Sequence, residues 1–304
     1  MRKALGRHVA LAVVIGAVSL GTALSVTAQS RNVSKPAAIP APISFHEVAD
    51  RGLLVNAWIN GKGPFSFAID TGAGALLLSP QVASEAGVTV KTGRAVSVAG
   101  ISGAHNSAQI GTLRSLAVGF RENFLPARGE VLITNGLPRE VDGLVDPTEA
   151  LWPLGYTIDI PRQELVAFDP NNDPVRASHQ PEEGAVVRWL HEGRSRRPFV
   201  QLDTGERALL DTGSGLGLAI KDYQGERQAG HSIRDIGGGR VEARRVAART
   251  IAIGSLTLRH IPTDLVSGAE TDAPVLLGLA ALRPFRIRFD PLHNLIEIAP
   301  RERG

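Results

Sequence analysis

An internal repeat constrains the fold of this chain more strongly than any other feature. Residues 43–168 and residues 186–299 present the same features in the same order: a strand pair, the triplet Asp-Thr-Gly, a glycine-rich hairpin and a closing strand pair. Asp70 aligns with Asp211, and Asp159 aligns with Asp290. A repeat of this kind predicts two similar structural units arranged in tandem.

Both segments have the pattern of β structure. Short apolar stretches with alternating polar residues are separated by turn signals such as the NGKG sequence around Asn60. The stretch LLLSPQVASEAGV suits a strand end and a short helix, and helical stretches are otherwise few. The sequence therefore predicts an all-β protein with short helices, in which the sheets are closed or sandwich-like.

Three further segments flank or join the two repeats. Residues 1–28 combine a basic start, an apolar run and small residues at the end, which is the pattern of a secretory signal peptide cleaved after Ala28. An uncleaved anchor helix is the alternative, although the apolar run is short for a membrane span. Residues 29–42 form a Pro/Ala-rich tether, and residues 169–185 form a polar linker. We expect an exported protein, periplasmic or secreted, without stable membrane insertion.

Charge and cysteine content exclude several classes of function. Residues 1–28 hold three of the 33 basic residues and no acidic residue, which leaves 30 basic against 30 acidic residues in the rest of the chain. The basicity therefore belongs to the leader, and nucleic acid is not an expected partner. The chain has no cysteine, and its eight histidines are scattered, so neither a thiolate nucleophile nor a metal site is expected.

The triplet Asp-Thr-Gly occurs three times, at Asp70, Asp203 and Asp211. In the alignment of the two repeats, Asp203-Thr204-Gly205 takes the place of the turn around Asn60, where Asp and Gly are favoured. Asp70 and Asp211 instead follow the apolar strand ends FAI and ALL, and each triplet is followed by a small residue and a glycine. The equivalent pair is therefore Asp70 and Asp211.

These two triplets resemble the aspartic peptidases, in particular the retroviral-protease-like (retropepsin-like) group, with two lobes in one chain as in pepsins. The resemblance implies two tandem β-barrel lobes with the active site at their interface. It implies Asp70 and Asp211 as catalytic residues that share a proton and activate a water molecule, without a cofactor or a metal. It also implies a peptide or an unfolded protein as substrate, and a monomer with pseudo-dimeric lobes.

The resemblance assigns supporting roles to the residues that follow each aspartate. The hydroxyls of Thr71 and Thr212 are expected to bond across to the opposite loop. Gly72 and Gly213 are expected to let the two backbones approach closely. Ser214 stands where the first lobe has Ala73, and a hydroxyl there can bond the carboxylate. We therefore hypothesise that Asp211 is the more readily ionised member of the pair and that Asp70 more often holds the shared proton.

Each lobe is also expected to carry a hairpin flap over the cleft. The candidate tips are AGISGA and IGGGR, and their glycines are Gly100, Gly103, Gly237, Gly238 and Gly239. A plain surface hairpin is the alternative for either one. Flaps of this kind exclude water and donate backbone hydrogen bonds to an extended peptide. The apolar residues Leu76, Ile101, Leu218 and Ile236 either line the cleft or belong to the core.

One position departs from the family pattern of two apolar residues and a glycine that pack behind the catalytic loop. The second lobe matches with Leu276, Leu277 and Gly278, whereas the first lobe has Asp146 or Pro147 where the glycine is expected. A larger residue there could shift the Asp70 loop. A catalytically impaired, exported peptide-binding or scaffold protein on the same fold is therefore the alternative to an aspartic endopeptidase.

Two other enzyme classes lack their motifs. Glycines follow the strands that end at Asp70 and Asp211, but neither the Rossmann spacing nor a Walker lysine is present. No Gly-x-Ser-x-Gly sequence occurs, so a serine hydrolase of that type has no support.

Overall fold

A computed structural model gives the fold of this protein and describes residues 38–127, 129–138, 140–193, 195–222 and 230–300. The described residues form mostly strands, joined by turns and a few short helices. This confirms the predicted all-β class with two lobes. The proposed signal peptide and most of the tether lie outside the described residues. No helix within the described ranges is long and apolar enough to span a membrane.

The first repeat contributes twelve strands and two helices. In chain order these are β1 (Ile43–Ser44), β2 (His46–Val48), β3 (Gly52–Ile59), β4 (Lys62–Ile69), β5 (Leu77–Leu78), α1 (Pro80–Glu85), β6 (Thr89–Ala99), β7 (His105–Leu113), β8 (Leu116–Val118), β9 (Gly129–Ile133), β10 (Gly143–Val145), α2 (Pro147–Leu151), β11 (Gly155–Asp159) and β12 (Glu164–Phe168). The helix α1 begins after Ser79, whose hydroxyl accepts a hydrogen bond from the Val82 amide and caps the helix.

The second repeat contributes the remaining described elements. These are β13 (Ala185–Arg188), β14 (Leu190–Glu192), β15 (Ser195–Gln201), β16 (Arg207–Asp211), β17 (Leu218–Lys221), β18 (His231–Arg234), β19 (Arg240–Ile253), β20 (Leu256–Ser267), β21 (Val275–Gly278), α3 (Leu279–Leu282), β22 (Phe285–Asp290) and β23 (Leu295–Pro300). Residues 169–184, between β12 and β13, contain neither strand nor helix.

Each repeat forms a sheet of its own with the same central arrangement. In the first lobe, β4 pairs in parallel with β10, which also pairs antiparallel with β5. In the second lobe, β16 pairs in parallel with β21, which pairs antiparallel with β17. Ile69 and Leu210, which precede the two Asp-Thr-Gly triplets on the paired strands, are both fully buried. The repeat detected in the sequence therefore corresponds to a repeat of strand topology.

A third sheet joins the two lobes. Its six strands follow the order β1-β12-β11-β22-β23-β13, so three strands come from each repeat. The central contact pairs β11 with β22 antiparallel, with Ile158 opposite Ile287. Both isoleucines are fully buried, and the largest apolar cluster runs through this sheet into both lobes. The two lobes therefore share one core, which the sequence reading as two tandem units did not anticipate.

Candidate active site

The two Asp-Thr-Gly loops begin at equivalent ends of the parallel strand pairs. Asp70 follows β4, and its amide donates a hydrogen bond of 3.0 Å to the Val145 carbonyl of β10. Asp211 is the last residue of β16 and lies opposite Gly278 of β21. The backbone of each aspartate is thus fixed by a strand of its own lobe, and its side chain points to the other lobe.

The two carboxyl groups meet at the interface between the lobes. Both Asp70 and Asp211 are 0% exposed. A Cβ atom built at Gly213 would lie 2.4 Å from Asp70 Oδ2, and one built at Gly72 would lie 2.8 Å from Asp211 Oδ1. Each carboxyl group therefore packs against the glycine of the opposite triplet, and no residue with a side chain fits at either position.

The threonines of the two triplets interlock across the interface. The Thr71 amide donates to Thr212 Oγ1 at 3.2 Å, and the Thr212 amide donates to Thr71 Oγ1 at 3.1 Å. The Thr71 hydroxyl donates to the Leu210 carbonyl at 2.6 Å, and the Thr212 hydroxyl donates to the Ile69 carbonyl at 3.0 Å. These four buried hydrogen bonds fix the relative position of the two loops, as the sequence predicts for these threonines.

Hydrogen bonds to the two carboxylates differ between the lobes. Asp70 Oδ1 accepts the Gly72 amide at 2.9 Å, whereas Asp211 Oδ1 accepts the amides of Gly213 and Ser214 at 2.9 and 3.1 Å. The second amide favours the charged form of Asp211. The Oδ2 atoms of both aspartates receive no hydrogen bond from the described part of the chain. These oxygens are the atoms left to act on another molecule.

The electrostatic surroundings raise the pKa of both carboxyl groups. Burial raises the pKa of Asp70 well above its usual range, and the charges of Asp211 and Asp146 raise it further. Burial also raises the pKa of Asp211, to about 7, although the Gly213 amide and the positive charge of Arg197 act in the opposite direction. Two buried carboxyl groups in contact hold one proton between them. The larger upward shift of the Asp70 pKa favours this carboxyl group as the holder of a shared proton.

The pKa directions favour the same member of the pair as the sequence-based hypothesis does, but through a different group of residue 214. Ser214 was expected to act through its hydroxyl, whereas Ser214 Oγ accepts a hydrogen bond from the Leu216 amide at 3.4 Å. The Ser214 backbone amide is the group that contacts the Asp211 carboxylate. An alanine at that position could donate the same backbone hydrogen bond, so the identity of residue 214 does not itself create the difference.

Arg197 is a residue of the site that the sequence reading missed. Its side chain is 3% exposed, and Nη2 pairs with Glu192, while Nε and Nη1 have no partner among the described residues. A Cβ atom built at Gly74 would lie 3.3 Å from its Cγ, so Arg197 of the second lobe packs against the loop that follows Asp70. An arginine next to a proline in a strand carries no functional signal without the fold.

The two hairpin flaps predicted from the sequence meet at their tips. The first tip lies between β6 and β7, and the second lies between β18 and β19. Gly103 and Gly238 both have positive φ, +75° and +85°, which the two turns require. A Cβ atom at Gly237 would lie 1.9 Å from the Ala104 carbonyl, and one at Gly239 would lie 1.9 Å from Ser102 Oγ. The two tips therefore contact each other directly.

Side-chain hydrogen bonds lock the flap tips together. Asp235 Oδ2 accepts the Ser102 amide at 2.8 Å, and Asn106 Nδ2 donates to the Ile236 carbonyl at 2.8 Å. Gly100 leaves the space that the Asp235 carboxylate occupies, because a Cβ atom there would lie 1.9 Å from Asp235 Cγ. The flaps are thus latched in this structure, which is consistent with the complete burial of the two aspartates.

Each flap inserts an isoleucine into the opposite lobe. Ile101 belongs to an apolar cluster whose other members all lie in the second lobe, and Ile236 belongs to a cluster whose other members all lie in the first lobe. Leu76 and Leu218 belong to the large shared core. All four residues are buried, so in this structure they belong to the core and do not form exposed walls of a cleft.

The departure from the family pattern lies at Asp146. In the second lobe, Gly278 of β21 pairs with Asp211, one position after the pair Leu277 and Leu210. In the first lobe, Val145 of β10 pairs with Ile69, so the next position beside Asp70 is Asp146. Asp146 therefore occupies the place that Gly278 has in the second lobe. The structure thereby decides between Asp146 and Pro147, because the two lobes need no gap at this point. Asp146 is 1% exposed, and burial together with the neighbouring charge of Glu149 raises its pKa to about 8.

The third triplet lies away from the site. Residues 202–206 form the turn between β15 and β16, where the Leu202 amide donates to the Glu206 carbonyl. Asp203 is exposed, and its Oδ1 accepts the Ala252 amide at 2.9 Å. This agrees with the turn predicted from the sequence. Among the described ranges, no group of three His, Asp or Glu side chains is arranged to hold a metal ion.

Comparison with known proteins supports the resemblance seen in the triplets. The family model described as aspartyl protease matches residues 55–144, a range that includes Asp70-Thr71-Gly72, the first flap and most of β10. No curated protein matches the chain.

Proposed function

We propose that this protein is a retropepsin-like aspartic endopeptidase in which Asp70 and Asp211 activate one water molecule, and the aspartyl protease family match over residues 55–144 supports this proposal. The observation that carries this proposal is the pair of fully buried carboxyl groups, one from each lobe, held together by the interlocked threonines. Burying two like charges side by side is costly, and a protein that only binds peptides has no use for it.

The proposed reaction follows from the unequal environments of the two carboxyl groups. Ionised Asp211 takes a proton from the water, whose oxygen attacks the scissile carbonyl carbon, while protonated Asp70 donates a hydrogen bond to the carbonyl oxygen. The tetrahedral intermediate collapses when the C–N bond breaks and the proton on Asp211 passes to the leaving nitrogen. Asp70 keeps its proton throughout these steps and Asp211 is ionised again after it has protonated the nitrogen, so the enzyme ends in its starting state.

Substrate access requires the flaps to separate. Both catalytic carboxyl groups are buried, and the flap tips are joined by hydrogen bonds at Asp235 and Asn106. Separation would free backbone groups of both hairpins, which can then pair with an extended peptide in the manner of an added strand. Hydrogen exchange at the Ser102 amide reports this opening directly, and a pepstatin complex should slow it.

A second candidate is a peptide-binding or scaffold protein that cleaves nothing. The observation in its favour is the buried Asp146 in place of the glycine that packs behind the other catalytic loop. Against it, the Asp70 loop makes the same hydrogen bonds to the opposite lobe, through Thr71, as the Asp211 loop makes through Thr212. Peptidase activity is therefore the better supported proposal.

The deciding experiment is digestion of a peptide library by the purified protein from pH 3 to pH 8, with and without pepstatin. Pepstatin-sensitive cleavage is the expected result. Absence of cleavage across this range, with peptides still bound, would instead support the scaffold. The substrate in the cell is proposed to be a peptide or an unfolded protein, and the enzyme is proposed to act as a monomer with its two lobes as the pseudo-dimer.

We also propose that the protein is exported and that residues 1–28 are removed after Ala28. The support is the basic, apolar and small-residue order of this segment. Amino-terminal sequencing of the protein recovered from a fractionated bacterial host tests this directly. A mature chain that starts at Gln29 in the periplasm or the medium is expected, and an intact Met1 in the membrane fraction would mean an uncleaved anchor.

A further inference from the structure

The backbone behind the Asp211 loop leaves no room for a side chain. The Gly278 amide donates to the Gly217 carbonyl at 2.8 Å, and the Leu279 amide donates to the Ser214 carbonyl at 2.7 Å. A Cβ atom at Gly278 would lie 2.4 Å from the Leu216 carbonyl oxygen. In the second lobe, the loop is therefore supported from behind by backbone groups alone.

The first lobe supports the Asp70 loop in a different way. Pro147 takes the place of Leu279 and has no amide hydrogen to donate. Instead, Asp146 Oδ2 accepts the Gly74 amide at 2.7 Å, and Asp146 Oδ1 accepts the Thr148 amide at 2.8 Å. The same carboxyl group thus caps α2 and holds the loop 70–74. A side chain has replaced the backbone support found in the other lobe.

The groups that face Asp146 come from four elements. Asp70 lies in the loop after β4, Glu149 lies on α2, and Tyr156 of β11 shares a hydrogen bond with Thr148. On β15, Arg196 pairs with Glu149, and Arg197 packs against Gly74 while it pairs with Glu192. Within the described ranges, no salt bridge joins either arginine to Asp146. The position therefore places a third carboxyl group beside the pair without a neutralising partner.

We propose that Asp146 is a positioning residue for Asp70, which holds the loop of the first lobe through the Gly74 amide and biases the shared proton toward Asp70. This inference rests on the proposed function of the pair. Above its pKa of about 8, Asp146 carries a negative charge that disfavours a second negative charge on Asp70, whereas no carboxylate stands at the equivalent Gly278 beside Asp211. The two aspartates thereby lie in unequal surroundings although their triplets are alike.

The same arrangement sets the pH range in which the pair is singly protonated. Burial and the charge of Glu149 raise the pKa of Asp146, and the charge of Asp146 in turn raises the pKa of Asp70. The pair therefore loses its shared proton, and with it the proposed activity, at a higher pH than it would without Asp146. The three carboxyl groups titrate as a coupled set, so the measurable quantities are the apparent pKa values of the set.

The test compares Asp146→Asn with Asp142→Asn. The first substitution keeps one acceptor oxygen and removes the charge, while Asp142 lies on the same segment and accepts the Ser66 amide at 2.8 Å, away from the pair. Carboxyl carbon NMR of aspartate-labelled protein, assigned with Asp70→Asn, follows the titration of Asp70 without reference to activity. In Asp146→Asn the apparent pKa of Asp70 should fall by about one unit, the size expected for removal of one adjacent charge.

Activity then separates this inference from the proposed function. The alkaline limb of the kcat/KM profile of Asp146→Asn should move to lower pH by the same amount, with KM nearly unchanged and the control unaffected. An Asp70 titration in Asp146→Asn that matches wild type would overturn the inference, whether or not peptides are cleaved. If Asp70 shifts as expected but no protein cleaves a peptide, the inference holds and the proposed function fails. If Asp146→Asn does not fold, Asp146→Ser retains a small acceptor and serves the same titration.

Discussion

The two lobes are alike where they touch each other and unlike behind that contact. Thr71 and Thr212 exchange equivalent hydrogen bonds, and Ile101 and Ile236 enter opposite lobes in equivalent fashion. Behind the two Asp-Thr-Gly loops, however, one lobe has Gly278 and the other has Asp146. Symmetry is thus retained where the two halves must fit together.

The two lobes also differ at the flap tips, where one has a glycine and the other has an aspartate at the equivalent position. Gly100 of the first flap faces Asp235 of the second, and the two residues occupy equivalent turn positions. Two aspartates in contact there would repel, and two glycines would leave the Ser102 amide without its acceptor. A duplicated chain can assign an anion to one copy and space to the other, which a symmetric dimer of identical chains cannot do.

The largest effect should come from the two aspartates that the comparison treats as equivalent. Asp70→Asn and Asp211→Asn each remove the group that carries or accepts the proton, and each should lower kcat by at least about a thousandfold. Peptide cleavage rates measure this. Asp203→Asn is the matched control, because Asp203 has the same triplet but lies in an exposed turn. Activity that survives in Asp70→Asn or Asp211→Asn and falls in Asp203→Asn would reverse the assignment.

The next effect is a pH dependence of stability, which Asp146 contributes and which Gly278 at the equivalent position cannot contribute. A carboxyl group whose pKa is raised on folding, here to about 8, destabilises the folded protein progressively as the pH rises from about 4 to about 8. Asp146→Asn removes this contribution. The free energy of unfolding of the mutant minus that of the wild type should therefore rise by a few kcal/mol between about pH 4 and about pH 8. Urea denaturation at several pH values measures it, with Asp142→Asn as control. Parallel pH profiles of mutant and wild type would count against burial of a titrating Asp146.

Adding a side chain at Gly278, the position in the second lobe that is equivalent to Asp146, should lower stability. Gly278→Ala places a methyl group within 2.4 Å of the Leu216 carbonyl oxygen, and overpacking of this kind costs about 1–3 kcal/mol. Thermal or urea denaturation measures the loss. Gln81→Ala, at an exposed position on α1, is the control. A Gly278→Ala protein as stable as Gln81→Ala would mean that this loop is not tightly packed.

Substitutions at the contact between Thr71 and Thr212 should have equal effects in the two lobes, and the difference between them should be the smallest of all. Thr71→Ala and Thr212→Ala each leave buried amide and carbonyl partners unsatisfied, so each should cost about 1–3 kcal/mol of stability. Thr71→Ser and Thr212→Ser keep the hydroxyl and should recover most of it. Urea denaturation of the four proteins gives the comparison. If the loss at residue 71 were several times that at residue 212, the interlock would not be symmetric.

The local pattern of the sequence predicted much of this site. The order of strands, turns and triplets indicated the repeat, the exposed turn at Asp203, the pair Asp70 and Asp211, and the two flap tips. These features depend on neighbours in sequence, through strand alternation and turn chemistry.

The remaining features depend on contacts between distant residues. The shared six-stranded sheet, the crossed isoleucines and the packing of Arg197 against Gly74 arise only when the two lobes come together. The strand register was likewise needed to show that Asp146, and not Pro147, takes the place of Gly278. A single sequence marked the unusual residue but carried no information on the amides that its carboxylate accepts.

The central claim is that the two lobes supply one carboxyl group each to a single proton-sharing site. The most direct measurement is kcat for a cleaved peptide with Asp70→Asn, Asp211→Asn and the double mutant. If the two groups act as a unit, the double mutant should be no slower than the slower single mutant. Losses that multiply in the double mutant would show two independent contributions and would contradict a shared site.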